Sequence, residues 1–338
     1  MQSNTMNAIS FSTYGDAEVL QLSQHPIPTL TANGVRIKVI AAGINPADTA
    51  IRRGTFRLLI RLKFPFIPGS DLAGIVTDVG QDVQQVKPGD TVYAMLPTGQ
   101  GGAYAEYIVI EENLIATMPT DLTFTQAAGV PLAALTALQA LRDKANLSSG
   151  QTVLVYGASG GVGSFAVQIA QALGATVTGV CSTRNIERVQ ELGVQSVIDY
   201  TQQSLSELDQ QYDVVLDAVA KLPLRTALRL ARPGGKLVSL NPGMNNPVSK
   251  LYARLFGRRL AAVMVKPDQP DLQQITGWID EAKITPVIDK LFPLTDAIAA
   301  HQYSETQRAC GKLILQIDSN LADETPKQTD SILNIQEG

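Results

Sequence analysis

Residues 153–163 read Val-Leu-Val-Tyr-Gly-Ala-Ser-Gly-Gly-Val-Gly, and the four glycines of this stretch follow an apolar run and precede the amphipathic run 164–173. That pattern predicts a strand, a tight turn and a helix. Backbone N–H groups of Ser159, Gly160, Gly161 and Val162 would then point at an anion, the helix dipole would favour its charge, and the absence of side chains would let a pyrophosphate approach. A glycine turn alone is weak evidence, and a plain strand–turn–helix of an α/β sheet is the alternative. The strand before it and the helix after it favour a dinucleotide site.

The residues after the next strand bear on which dinucleotide. A site for a free ribose 2′-hydroxyl usually carries Asp or Glu there, and that carboxylate repels a 2′-phosphate. Here the run is Val180-Cys181-Ser182-Thr183-Arg184, with no acidic residue before Glu187. Ser182 and Arg184 are suited to grip a phosphate. A hydrogen bond to a charged group contributes roughly 1.5–3 kcal/mol, so the expected preference for NADP(H) is about 10- to 100-fold. Otherwise Arg184 is a solvated residue opening a helix. Ala158 stands at the first position of the common Gly-x-Gly-x-x-Gly pattern, before Gly160 and Gly163.

These residues need a scaffold, and 338 residues with 45% hydrophobic content can build two domains. The formal charge is −4, and residues 318–338 alone account for it, with five acidic residues against Lys327. The rest is near neutral, which argues against a nucleic-acid partner, since that would need a basic stripe. No apolar run approaches a membrane span, and Met1-Gln-Ser-Asn-Thr lacks a secretory pattern, so a cytoplasmic protein is expected. Cys181 and Cys310 are too far apart in sequence for a metal-type spacing.

Up to about residue 122, short β-rich runs (35–41, 74–79, 91–94, 104–110) alternate with Gly and Pro turns, as in a small β-barrel-like domain. From 123 to 266, strands at 153–156, 175–181, 196–198, 214–216, 236–240 and 261–265 alternate with helical patterns, which predicts a parallel, doubly wound Rossmann sheet. After Pro267, helices at 271–282 and 294–303 and a strand at 312–317 are too few for a domain, so 267–317 should complete the first one. Residues 318–338 are expected to form a mobile acidic tail. Arg52, Arg53, Arg57, Arg61 and Lys63 form a basic cluster, read as a solvated helical face or, if it borders the site, as a steering patch for an anionic cofactor.

The order of barrel, Rossmann domain and return to the barrel resembles the medium-chain dehydrogenase/reductase superfamily, with a GroES-like catalytic domain. The resemblance also rests on Gly43-Ile44-Asn45-Pro46-Ala47-Asp48, Pro68-Gly69-Ser70-Asp71-Leu72-Ala73-Gly74 and Lys87-Pro88-Gly89-Asp90. Asn45-Pro46, Gly101–Tyr107, Leu135–Leu138 and Gly311-Lys312-Leu313-Ile314-Leu315 are similar to the zinc-independent quinone oxidoreductases. Where zinc-dependent relatives carry a Cys, a His-Glu pair and a later Cys or Asp, this chain has Asn45, Ser70-Asp71 and Leu132, so no metal is expected. The two histidines, His25 and His301, read as a strand-end residue and as a packing or surface residue.

The resemblance implies that Asn45 and Thr136 touch the nicotinamide half of NADP(H). It further implies that Ser239, Leu240 and Asn241 lie along the cofactor, that Lys312 closes over it, and that Tyr200 flanks the 2′-phosphate. The bland alternatives are that Asn45 begins a turn, Thr136 bonds its own helix and Lys312 is a surface cation. Related enoyl-thioester reductases have a tyrosine after the Asn-Pro motif, but here that stretch holds Phe56, which cannot donate a proton and reads equally as core or as a substrate wall.

The expected activity is NADPH-dependent, zinc-independent hydride transfer to quinones or α,β-unsaturated carbonyl compounds, with Asn45 the candidate catalytic residue. An alkenal/enone C=C reductase with little quinone activity and a mainly non-catalytic NADPH-binding partner protein are the alternatives. The resemblance also implies a homodimer.

Overall fold

The structure, a computed structural model, describes residues 4–329. The chain forms two compact units. Among the described residues, the first runs to Leu132 and takes up Lys266–Glu281 and the chain from Pro286 to Thr329; the second holds Ala133–Val265 and Ala282–Thr285.

The first unit begins with β1 (Thr5–Ser10), β2 (Gln21–Pro26), β3 (Gly34–Ile44) and helix α1 (Pro46–Arg52). It continues through β4 (Asp71–Val79), β5 (Thr91–Met95), β6 (Tyr107–Glu111), β7 (Ile115–Thr117) and α2 (Phe124–Ala128). After α3 (Pro131–Leu138) the second unit alternates β8 (Thr152–Tyr156), α4 (Gly161–Ala172), β9 (Thr176–Cys181), α5 (Ile186–Glu191), β10 (Ser196–Asp199) and β11 (Tyr212–Asp217). It closes with α6 (Leu224–Leu230), β12 (Ala231–Ser239), α7 (Pro247–Leu255) and β13 (Arg259–Ala262). The chain then returns to the first unit with α8 (Gln269–Asp280), β14 (Ile288–Pro293), α9 (Ala297–Glu305) and β15 (Lys312–Gln316).

In the second unit the parallel strands lie in the order β10-β9-β8-β11-β12-β13, the doubly wound arrangement that the alternating pattern predicts. Val153, Leu154, Val155, Val214, Val215 and Leu216 are almost wholly buried, as central parallel strands covered on both faces require.

The first unit is built around β3. Its first half pairs with β6 over Gly34–Lys38 and its second half with β15 over Ala41–Ile44, while β4 lies along its other edge from Val35 to Gly43. One long strand thus recruits the returning C-terminal segment beside the N-terminal barrel strands, as expected for 267–317. Two boundaries differ from the sequence reading. The first unit extends to Leu132, because the Leu132 N–H donates to Asp71 Oδ1 at 2.8 Å, and the short run Ala282–Thr285 joins the second. Gln168 ties that run down, its side chain bonding both the N–H and the carbonyl of Thr285.

The acidic tail also differs in part. Thr125 donates from its N–H to the Ala322 carbonyl at 2.9 Å and from its hydroxyl at 2.8 Å, Phe124 N–H donates to the Glu324 carbonyl, and Ala322 and Thr329 are buried. Residues 318–329 are therefore a docked strap on α2 rather than a mobile tail; 330–338 lie outside the described residues.

The basic cluster is corrected as well. Helix α1 stops at Arg52, where Gly54 turns the chain with φ +76, so Arg53, Arg57 and Arg61 do not share a helical face. Arg52 is fully buried: it pairs with Glu305 and donates to the Gly15 carbonyl at 3.2 Å. Phe56 is partly buried against the hydrophobic core of the first unit.

Candidate active site

Strand register brings the site of the first unit together. Gly43 on β3 faces Asp71 at the start of β4, and Ile44 faces Leu313 on β15. Asn45, Asp71 and Lys312 therefore meet at one end of the sheet although they are spread over the whole chain. Gly43 must be glycine, because a Cβ there would lie 2.9 Å from Asp71 Oδ2 and 2.5 Å from the Ala128 carbonyl oxygen.

All three side chains are buried, with exposures of 2% for Asn45, 0% for Asp71 and 4% for Lys312. Asn45 Nδ2 donates to Asp71 Oδ2 at 3.0 Å. The Lys312 ammonium donates to Asn45 Oδ1 at 2.5 Å and to Asp71 Oδ2 at 3.2 Å. Both ends of the Asn45 amide are thereby fixed, and its orientation follows from one donor and one acceptor. Burial pushes the Asp71 carboxyl up, against the pull of the Lys312 charge. Lys312 is thus an internal cation and not the surface residue weighed from sequence.

Beside this cluster Asp48 caps the first turn of α1, accepting from the Asn45 N–H at 2.9 Å and from the Ser70 hydroxyl at 2.8 Å. Burial raises its pKa from 3.8 to about 6. Tyr104 approaches Asp48 with its hydroxyl at 3.5 Å, and burial pushes that phenol well up. Asp48 went unnoticed from sequence, although an acidic residue three after Asn45 is a capping pattern that could have signalled it. His301 is packed inside, with its Nδ1 3.3 Å from an Arg52 nitrogen, and burial depresses its pKa to about 3. It is neutral at physiological pH.

In the second unit Gly157 turns the chain with φ +84, and the N–H groups of Gly157 and Ala158 both donate to the Val180 carbonyl at 3.0 Å. A Cβ on Gly163 would lie 2.0 Å from the Gly157 carbonyl oxygen, so that glycine serves helix packing. A Cβ on Gly160 would meet nothing nearer than that same oxygen at 3.4 Å, so the protein itself leaves this position room. The Gly160 N–H is turned inward to the Gly157 carbonyl and is not an outward donor as expected. Gly161 and Val162 head α4, where amides lack intrahelical acceptors. The Ser159 hydroxyl accepts from Asn185 Nδ2 at 2.9 Å, a contact that sequence did not suggest.

Ser182 immediately precedes the short turn Thr183–Asn185, and Arg184 is exposed on it. Tyr200 is half exposed, and its N–H donates to the Cys181 carbonyl at 3.1 Å, so the three residues expected at a 2′-phosphate lie at the ends of adjacent strands. The fold also brings in Asp199, whose carboxylate accepts from Thr183 Oγ1 at 2.5 Å and from Thr201 Oγ1 at 2.7 Å. Those hydroxyls hold its pKa down.

Thr136 is buried on α3. Ser239 is buried and donates to Asp217 Oδ2 at 3.0 Å, while Asn241 Oδ1 accepts from the Gly243 N–H at 2.9 Å. Both side chains thus hold the strand-end loop. The Leu240 N–H donates to the Asp217 carbonyl at 3.1 Å.

Comparison with known proteins agrees with this architecture. Residues 31–120 match the alcohol dehydrogenase GroES-like domain and residues 192–315 a zinc-binding dehydrogenase domain. The chain is 35% identical to the chloroplast envelope quinone oxidoreductase homolog of Arabidopsis thaliana, over 94% of this chain and 100% of that protein. It is 36% identical to the NADPH-dependent alkenal/one oxidoreductase of the same plant, over 92% and 79%. The solved quinone oxidoreductase from Coxiella burnetii superposes with a TM-score of 0.82 at 30% identity, covering 93% of this chain and 99% of that one.

The zinc of the second domain's description does not fit these residues. Among the described residues no three His, Cys, Asp or Glu side chains converge as a metal-binding group. At the end of β3 the Asp71 carboxylate is already paired with a buried ammonium that would repel a dication, and the neighbouring Asp48 carboxylate is taken up by the Asn45 N–H and the Ser70 hydroxyl. No helix among the described residues is long and apolar enough to cross a membrane. With its GroES-like and Rossmann units and its extensive identity to quinone and alkenal oxidoreductases, the chain belongs to the quinone oxidoreductase-like family of medium-chain dehydrogenase/reductases and is a nicotinamide-dependent oxidoreductase.

Proposed function

We propose that this protein uses NADPH, without zinc, to reduce quinones or α,β-unsaturated carbonyl compounds. The observation that carries the proposal is the Asn45–Asp71–Lys312 cluster, which holds a rigid amide and a buried, charge-paired ammonium in place of a donor set for a Lewis acid. Acceptors that leave a delocalised oxyanion need none, and water can protonate them. The names of the Arabidopsis relatives, a quinone oxidoreductase homolog and an NADPH-dependent alkenal/one oxidoreductase, support both acceptor classes.

NADPH supplies the hydride. The residues' work is then binding and orientation. Gly161 and Val162, with Ser159 beside them, receive the pyrophosphate, and Gly160 gives it room. Ser182, Arg184 and Tyr200 receive the 2′-phosphate. Asp199, held by two threonine hydroxyls, keeps its carboxylate turned to them. Asn45, fixed at both ends, orients the nicotinamide, with Thr136 serving the same half; Ser239, Leu240 and Asn241 shape the loop along the cofactor. Lys312 acts through Asn45. A homodimer in the cytoplasm completes the reading, checked by sedimentation and cell fractionation.

The test is oxidation of NADPH and NADH by metal-stripped protein with a 1,4-quinone and an unsaturated aldehyde in parallel. NADPH-selective turnover is expected, and Arg184→Ala should raise the KM for NADPH about 10- to 100-fold while leaving that for NADH nearly unchanged. Turnover that requires added zinc, or equal effects of Arg184→Ala on both cofactors, would refute the respective parts.

A further inference from the structure

The parallel sheet of the second unit reverses its winding between β8 and β11, and a crevice at such a switch point receives ligands at the carboxyl ends of the strands. Asp217, the last residue of β11, stands there opposite Tyr156, the last of β8. It is 3% exposed, and no cation pairs with it among the described residues.

Four donors hold its carboxylate. Oδ1 accepts from the N–H groups of Val219 at 3.3 Å and Lys221 at 3.2 Å, and Oδ2 from the Leu222 N–H at 3.2 Å and the Ser239 hydroxyl at 3.0 Å. The Ser239 oxygen in turn accepts from the Asn241 N–H at 3.1 Å. One side chain thus ties the turn after β11 to the loop after β12. That turn is one that residues other than glycine adopt reluctantly: Ala220, between two of the donors, has φ +59. Beside it Val219, 40% exposed, closes on the glycine turn, since a Cβ on Gly157 would lie 2.5 Å from Val219 Cγ1. A carboxylate buried without a cation is costly, and an apolar side chain would fill the space without that cost. What the charge adds is the shape of two loops at the crevice.

We infer that Asp217 is a positioning residue for the cofactor: by fixing 218–222 and 239–241 it sets the wall against which the dinucleotide lies. It acts on the part common to NADPH and NADH, because Ser182, Arg184 and Tyr200 follow β9 and β10, on the other side of β8. The inference rests on the proposed cofactor reading.

The experiment is fluorescence titration of the full chain with NADPH and with NADH, joined to steady-state kinetics with a 1,4-quinone. Asp217→Asn keeps the side chain's shape but turns an amide NH2 toward a backbone N–H. Its Kd and KM for both dinucleotides should rise by the same factor, about tenfold or more, while the KM for the quinone holds. A merely structural role would lower the folded fraction, and with it the apparent kcat, and leave the dinucleotide Kd and KM as in the parent. Ser239→Ala removes one donor of the four and should raise both Kd values about threefold, which keeps the inference testable should Asp217→Asn fail to fold. Hydrogen exchange across 218–222 should quicken in either variant. Unchanged dinucleotide affinity in folded Asp217→Asn, or in Ser239→Ala where the first variant does not fold, overturns this inference alone. So does a loss confined to NADPH. A parent that binds neither dinucleotide overturns the cofactor reading and this inference with it.

Discussion

The Lys312 ammonium lies 3.2 Å from the Asp71 carboxylate, and both side chains are withdrawn from solvent, although they stand 241 residues apart. Antiparallel pairing of β3 with both β4 and β15 creates the pair. A buried ion pair of this kind adds little net stability, but removing one member leaves an uncompensated charge.

Lys312→Met should therefore destabilise the protein by about 3–5 kcal/mol, and Asp71→Asn/Lys312→Met should recover most of that loss. Equilibrium denaturation of the two single variants and the double variant measures the coupling. Strictly additive losses would mean that the pair is not coupled. In the double variant Asn45 Oδ1 loses its ammonium donor and Nδ2 keeps only a neutral amide acceptor, so activity should stay low even where stability returns.

Two buried titrating groups give opposite pH dependences. Asp48 has a folded pKa of about 6 against an ordinary 3.8, so its ionisation penalty is absent below about 4 and complete above about 6. His301 has a folded pKa of about 3 against 6.5, so stability is lost as pH falls between those values. Relative to Asp48→Asn, the parent should lose up to about 3 kcal/mol as pH rises from 4 to 6. Relative to His301→Gln, it should lose up to about 5 kcal/mol as pH falls from 6.5 to 3. Denaturant melts across pH 3–7 check both slopes; a slope of the wrong sign would remove that group from the account.

Gly160 and Gly163 should separate binding from folding. Gly163→Ala places a methyl 2.0 Å from a carbonyl oxygen and should lower the melting temperature markedly. Gly160→Ala meets only the 3.4 Å contact, so its stability should change by less than about 1 kcal/mol while its affinity for NADPH falls more than tenfold. Thermal melts and fluorescence titration with NADPH read the two effects.

Deleting residues 320–338 should destabilise the first unit. The deletion removes the Ala322 carbonyl that accepts both the N–H and the hydroxyl of Thr125, at a cost of about 1–3 kcal/mol for each buried donor left unpaired. A truncated protein that melts with the full chain would show that the docked strap is idle.

Local pattern was enough for the two architectures. The Val153–Gly163 run, the alternation from β8 to β13 and the sparse helical periodicity before Asp121 each depend on neighbours within a few residues, and the parallel, doubly wound sheet agrees with them. The glycine turn and the residues after β9 were readable for the same reason. What the types of Asn45, Asp71 and Lys312 did not reveal was their meeting, because that depends on the register of β3 with two strands from distant parts of the chain. Burial decided the rest. It enclosed Arg52 and His301, which as isolated letters read as a solvated cation and a packing or surface residue, and it raised the Asp48 pKa. The sequence carries side-chain chemistry and local periodicity; desolvation and charge pairing exist only once distant segments exclude water from one another.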